Sequence, residues 1–288
     1  MRGRIVSLSC GVYSIVVDGV IYNAPARGLF RKQNIKPVVG DDVEIDDQYF
    51  VIDNVYERKS FLKRPTIANI DQMLIIESLK EPEFSYLLAF KYLTYANMNG
   101  ISAKIILTKS DKENNKSQID EIINTFKLMN IEVYVVSNKT LEGLEEVRSL
   151  FKNHITCLIG QSGVGKSSLI NSIDKDFERK VGEYSKALGR GKHQTKEVIL
   201  LPYESGFVAD TPGFSSLELN LYKEDLAQFY PGFADKFTDC YYSNCLHLTE
   251  NRCAVKSMIE EGKYPQIAYD CYKKISEESI FKSRRFER

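Results

Sequence analysis

The chain has 288 residues, room for two domains and a small third module. Its 43% hydrophobic and 27% charged residues are ordinary for a globular protein, and its longest apolar runs, such as Met73–Ile76 and Ile105–Leu107, are far too short to span a bilayer as helices. Formal charge balances, 39 basic against 39 acidic residues, so any contact with nucleic acid must use local patches. Met1-Arg2-Gly3-Arg4 leads at once into a strand-like pattern, with no apolar signal core, and a cytoplasmic location is expected. In that compartment the six cysteines are expected to be thiols or metal ligands.

Residues 1–64 alternate apolar and polar positions, with turns expected at Gly11, at Asp18-Gly19 and at Val39-Gly40-Asp41. About five short strands in so short a stretch predict a small closed β-barrel, the OB-fold first and an SH3-like barrel as the alternative. Arg27, Arg31, Lys32 and Lys36 form one basic cluster, Arg58, Lys59, Lys63 and Arg64 another, and the run from Lys282 a third. These are the candidate RNA contacts.

At Arg64-Pro65 the texture changes. Asp71–Glu77 reads as an apolar strand, Phe84–Asn97 as a helix, and Ala103–Asp111 as a strand with a polar end. Gln118–Met129 is a second helix, Ile131–Asn138 a strand, Leu141–Phe151 a helix and His154–Gly160 a buried strand. The alternation predicts a parallel sheet covered on both faces. From about Glu218 the chain reads as helical around a cysteine-rich loop, and it ends in a basic tail. The expected domains are 1–64, an RNA-binding barrel; 65–217, an α/β domain; and 218–288, a cysteine-containing helical module.

Gly160, Gln161, Ser162, Gly163, Val164, Gly165, Lys166, Ser167 and Ser168 spell a phosphate loop between a strand and a helix. Backbone N–H groups there face an anion, Lys166 is expected at the β- and γ-phosphates, and the Ser167 hydroxyl at Mg²⁺. Asp210-Thr211-Pro212-Gly213 follows the short strand Gly206–Asp210, so Asp210 is expected to hold Mg²⁺ through water and the Gly213 amide to meet a γ-phosphate. Between them, the basic and glycine-rich segment Gly189–Glu197 offers Thr195 to complete the metal shell when γ-phosphate is present.

Guanine needs an acceptor for N1–H and N2–H₂, which adenine does not offer as a pair. Thr108-Lys109-Ser110-Asp111 ends a strand and supplies it: Asp111 accepts, Lys109 lies along the base, and Ser137 of the next strand end offers a backbone N–H to O6. This reader precedes the phosphate loop, whereas in an ordinary GTPase it follows.

Cys240, Cys245, His247 and Cys253 place three thiols and an imidazole within one short stretch. That donor set suits one structural Zn²⁺ per chain in a closed shell. Cys10, Cys157 and Cys271 stand apart.

Taken together, these motifs resemble the circularly permuted, small-subunit-dependent GTPases of the RsgA or YjeQ type, across essentially the whole chain. The resemblance implies a multidomain protein: an N-terminal OB-fold barrel, a circularly permuted P-loop GTPase, and a C-terminal helical zinc module with the same four ligands. It implies a late maturation factor that binds the small ribosomal subunit and its rRNA and is stimulated by it. The family usually has Asn where this chain has Thr108, so guanine selection is expected to survive through Asp111 with weaker affinity. Its switch commonly reads His-Thr-Thr against His193-Gln194-Thr195 here. Phe214, after the switch glycine, cannot polarise water, which leaves His193 as the candidate catalytic group.

The expected function is therefore Mg²⁺-dependent GTP hydrolysis by a monomer acting on the small subunit, with no membrane. A non-enzymatic RNA-binding scaffold whose geometry GTP sets, and an ATP-driven RNA remodeller, are the rivals.

Overall fold

The computed structural model describes residues 1–32, 35–63, 65–112, 116–177, 179, 182, 184, 198–210, 217 and 219–278. The chain divides into two compact units: Met1–Met73 with Leu144–Leu158 and Ser167–Gly213, and Leu74–Gly143 with Ile159–Lys166 and Phe214–Arg288.

The first unit begins with β1 (Arg2–Ser9), β2 (Val12–Val17), β3 (Val20–Pro25), the short helix α1 (Leu29–Lys32), β4 (Asp42–Ile45) and β5 (Ile52–Val55). These five strands form an antiparallel sheet in the order β3-β2-β1-β4-β5. A parallel bridge from Ala26 to Ile52 joins its two ends, which is the closure expected of the predicted OB-type barrel. Ile5, Val6, Ile15, Ala24, Val43 and Ile52 fill the interior without exposure.

Two of the sequence's basic clusters are partly structural. Arg58 makes a forked ion pair, Nε at 2.7 Å and Nη2 at 2.8 Å, to the fully buried Asp41. Arg27 is held by Asp46 and Asp53, each at 2.9 Å. The side chains of Arg31 and Lys32, all of Arg64, and the basic tail lie outside the described residues. β6 (Phe61–Lys63) and β7 (Thr66–Ala68) pair antiparallel as a hairpin. That hairpin docks where Gly40, at φ +93°, carries no Cβ; one there would stand 2.0 Å from the Ala68 carbonyl oxygen.

The second set of strands comprises β8 (Gln72–Ser78), β9 (Ser102–Thr108), β10 (Val133–Val135), β11 (Ile155–Ile159), β12 (Ile199–Tyr203) and β13 (Gly206–Asp210). Their order in one sheet is β10-β9-β8-β11-β13-β12. β10 runs parallel to β9, and β11 to β13, as expected. β12 is antiparallel to β13, so the sheet is mixed rather than purely parallel. β12 and β13 form a hairpin, and a two-residue turn reverses direction in place of a helical crossover.

The helices are α2 (Tyr86–Met98), α3 (Lys116–Lys127), α4 (Leu144–Ser149), α5 (Lys166–Ile173), α6 (Leu226–Phe229), α7 (Ala254–Glu260) and α8 (Gln266–Glu277). Each expected helix exists, with ends shifted by one to three residues. In the second unit an aromatic core joins α2 to the C-terminal module. Phe90 lies 5.4 Å from Tyr230 between ring centres, Tyr230 5.1 Å from Tyr272, and Phe233 4.8 Å from Tyr272. The phenols of Tyr230 and Tyr264 donate to the carbonyls of Ala268 (2.6 Å) and Pro231 (2.7 Å), so their burial costs no unpaired donor. Among the described residues no helix is long and apolar enough to cross a membrane.

Candidate functional site

The phosphate loop leaves the end of β11. Gly163 and Gly165 have φ of +83° and +97°, turn geometry that a Cβ would strain. Gly160 passes so close to β8 that a Cβ would meet the Ile76 carbonyl oxygen at 2.1 Å. Val164 is fully buried, while Ser162 and Gly163 face solvent. Lys166 opens α5 and folds back, its ammonium donating to the carbonyls of Gly160 and Gln161 at 2.6 Å each. An ammonium so placed can exchange loop carbonyls for phosphate oxygens. Burial lowers its pKa, and Glu77 opposes that shift. Ser167 and Ser168 follow in the first turn of α5, both exposed.

Thr108 ends β9 without exposure; its hydroxyl donates to the Val164 carbonyl at 2.5 Å. Lys109, at φ +62°, donates through its ammonium to the Gly163 carbonyl at 2.8 Å and to that of Glu81. The Ser110 amide donates to Val136 at 3.2 Å and starts the turn that carries Asp111. The exposed Asp111 carboxylate accepts the hydroxyl of the fully buried Ser137 at 2.8 Å. The Ser137 oxygen in turn accepts the amides of Lys139 and Thr140, at 3.2 and 3.0 Å.

Residues 108–111, 137 and 160–166 thus meet within the second unit. The Thr108 hydroxyl holds the phosphate loop and the Ser137 hydroxyl aims Asp111, while the Ser137 amide, expected at guanine O6, donates to the Glu142 carbonyl at 3.1 Å. Asn138 follows Ser137 at that strand end. Its amide nitrogen lies 3.5 Å from where a Gly165 Cβ would be, and its buried oxygen has no hydrogen-bond partner. An orphaned acceptor beside a glycine loop fits a site built for a ligand.

Asp210 ends β13, its backbone opposite Ile199. Cys157 of β11 faces Ala209 of β13 in parallel register. The expectations for His193, Thr195 and Gly213 lie outside the described residues.

In the C-terminal module the sulfurs of Cys240, Cys245 and Cys253 and a ring nitrogen of His247 all lie within 4.8 Å of one another. This Cys₃His cluster could hold a metal ion. Nδ1 of His247 is 3.4 Å from the sulfurs of both Cys240 and Cys253, which are themselves 3.8 Å apart. Burial pushes the Cys245 thiol up to about 12 and holds His247 below its ordinary value. A nearby cation would reverse the thiol shift. The loop is braced from outside: Glu250 accepts the amides of Leu246, Leu248 and Thr249, and the phenols of Tyr269 and Tyr272 donate to the carbonyls of His247 and Leu246.

Two family models match in chain order, the RsgA N-terminal domain over residues 2–49 and the RsgA GTPase over residues 55–220. The chain belongs to the RsgA GTPase family. Among RsgA relatives, the small ribosomal subunit biogenesis GTPase RsgA of Geobacillus sp. strain WCH70 is 38% identical over 283 residues, covering 96% of this chain and 97% of that protein. The protein of the same description from Caldanaerobacter subterraneus is 36% identical, covering 99% and 98%. Among solved structures, YjeQ from Thermotoga maritima matches with a TM-score of 0.83 at 32% identity, covering 96% of each chain. YloQ, described as a circularly permuted GTPase, matches with a TM-score of 0.80 at 32% identity, covering 96% of this chain and 93% of its own. This RsgA-family chain is a GTP hydrolase with a circularly permuted GTPase fold.

Proposed function

We propose that this GTPase acts in the biogenesis of the small ribosomal subunit, binding the subunit and its rRNA as a cytoplasmic monomer and hydrolysing GTP there. What carries the reading is full-length similarity: relatives named for that role match from the barrel through the cysteine module. In this reading residues 1–64 are the barrel arm, 65–217 the GTPase and 218–288 the metal module.

At the nucleotide, Lys166 meets the β- and γ-phosphates, the amides of Gly160–Ser168 cradle them, and Gly213 senses the γ-phosphate. Asp111 accepts guanine N1–H and N2–H₂, aimed by Ser137, and Lys109 lies along the base. Ser167, Thr195 and Asp210 are the residues that would organise Mg²⁺, which enters with GTP and offsets charge on the phosphates. His193 positions the attacking water, a task closed to Phe214.

The metal of the C-terminal module is zinc in this reading. Arms of about 2.3 Å to sulfur and 2.0–2.1 Å to nitrogen set tetrahedral edges of about 3.8 Å between sulfurs and 3.5 Å from sulfur to nitrogen. The 3.8 Å and 3.4 Å separations among Cys240, His247 and Cys253 support that fit, and all four ligand atoms lie within 4.8 Å of one another. Zinc there cross-links the loop. Tyr241, 65% exposed between two of the ligands, stands edge-to-face with Tyr242 at 4.9 Å, with the Arg252 guanidinium 4.8 Å from its ring. Exposed rings beside a guanidinium suit the stacking of unpaired bases.

Cosedimentation with isolated small and large subunits, with a non-hydrolysable GTP analogue or GDP, tests the partner. Small-subunit binding that depends on the nucleotide supports the reading; equal binding to large subunits overturns it.

A further inference from the structure

Glu77 lies next to the end of β8, fully buried, and among the described residues neither oxygen of its carboxyl has a hydrogen-bond partner. A buried, unpaired carboxylate is costly, so the group is either neutral or serves a neighbouring charge. Its position is fixed from two sides. The Ile76 carbonyl before it abuts Gly160, and its own carbonyl lies 3.3 Å from the Thr108 hydroxyl that holds Val164. The titratable groups that interact with it electrostatically are the Lys166 ammonium from the phosphate loop and the Tyr92 phenol from α2. Burial pushes the Glu77 carboxyl up to about 8, and Lys166 pulls against that shift.

Lys166 therefore answers to two acidic neighbours, one permanent and one that arrives with nucleotide. Its ammonium is bound to loop carbonyls when the loop is empty, and above about pH 8 Glu77 is then its counter-charge. Phosphates arriving at the loop satisfy the lysine and add negative charge close to Glu77. Both changes favour the protonated acid.

We propose that Glu77 is a positioning residue that takes up a proton as the loop binds nucleotide: as a carboxylate it shares Lys166 with the empty loop, and as a neutral acid it leaves Lys166 to the phosphates. One oxygen of Glu77 gains an O–H bond, the proton comes from solvent, and no other covalent bond changes. The inference rests on the reading of Gly160–Ser168 as the nucleotide loop. It adds that nucleotide affinity is linked to protons, weakening by up to tenfold per pH unit above about 8.

The test is infrared difference spectroscopy of the full chain on addition of Mg²⁺–GDP at pH 8, for wild type, Glu77→Gln and Glu77→Leu. The expected result is a gain of the C=O stretch of a protonated carboxyl in wild type, absent from both variants. GDP affinity should fall more steeply from pH 7 to pH 9 in wild type than in either variant. Wild type that binds GDP without that band overturns the inference, whatever the variants do, and so does a band of equal size in a variant. Failure of wild type to bind GDP at all would instead overturn the nucleotide-loop reading.

Discussion

Replacing Thr108 by valine removes one hydroxyl at constant shape and tests how the guanine segment supports the phosphate loop. Thr108 is fully buried and donates to the Val164 carbonyl at 2.5 Å, so Thr108→Val leaves that carbonyl unpaired in a dry site without opening a cavity. An unsatisfied buried acceptor costs about 1–3 kcal/mol. At about 1.4 kcal/mol per tenfold, that full cost corresponds to roughly five- to 150-fold in an equilibrium constant. The loop already closes on Lys166 without ligand, so part of the cost falls on the unligated fold. Thr108→Val should lower both the melting temperature and the affinity for GDP. Thr108→Ser keeps the donor and should bind GDP nearly as wild type. Titration of a fluorescent GDP analogue, with thermal melts as the control, reads both effects. If valine matches wild type in both, or serine and valine are equally impaired, the Thr108–Val164 bond does not hold the loop.

A strong chelator, or Cys253→Ser, should remove the metal and loosen the C-terminal module, read by metal content and thermal melting; an unaltered melt would refute a structural metal. Tyr241→Ala with Tyr242→Ala should weaken small-subunit or rRNA binding by about 1–3 kcal/mol per lost stack while leaving GDP affinity alone, and equal subunit binding would remove these rings from the interface. The pH dependence of stability should report Glu77, whose folded-state pKa stands at about 8 against an ordinary 4.5. Between those values the folded state holds the extra proton, so wild type should lose stability relative to Glu77→Gln as pH rises from about 4.5 to 8. A difference in melting temperature that stays constant across that window would refute it.

What the sequence makes legible is chemistry tied to spacing. The phosphate loop, the early Thr108–Asp111 and the Cys₃His cluster each need fixed residue types at fixed separations, and the structure brings each set together. The strands of the barrel are legible from their β-branched residues and turn glycines, although Ile5–Ser7 and Tyr13–Ile15 are buried as runs of three beside the irregular register of β1. Partner choice is less so: a hydroxyl such as that of Thr108 or Ser137 bonds whatever the fold sets beside it, here Val164 and Asp111. The β12–β13 hairpin is obscured by Pro202 within β12 and by a turn at Glu204-Ser205, whose φ values of +46° and +61° occur without the glycine or asparagine that would flag them. Glu77 closes the apolar run Asp71–Glu77 and reads as the polar end of a core strand. Only the packing of β8 behind the phosphate loop gives its carboxyl a role.

The proposed function ties GTP hydrolysis to the small subunit. Multiple-turnover GTP hydrolysis with isolated small subunits, isolated large subunits and no ribosomes tests that tie most directly. The expected result is slow turnover alone, a clear rise with small subunits and none with large ones. Stimulation by large subunits only, or turnover indifferent to either, would contradict it.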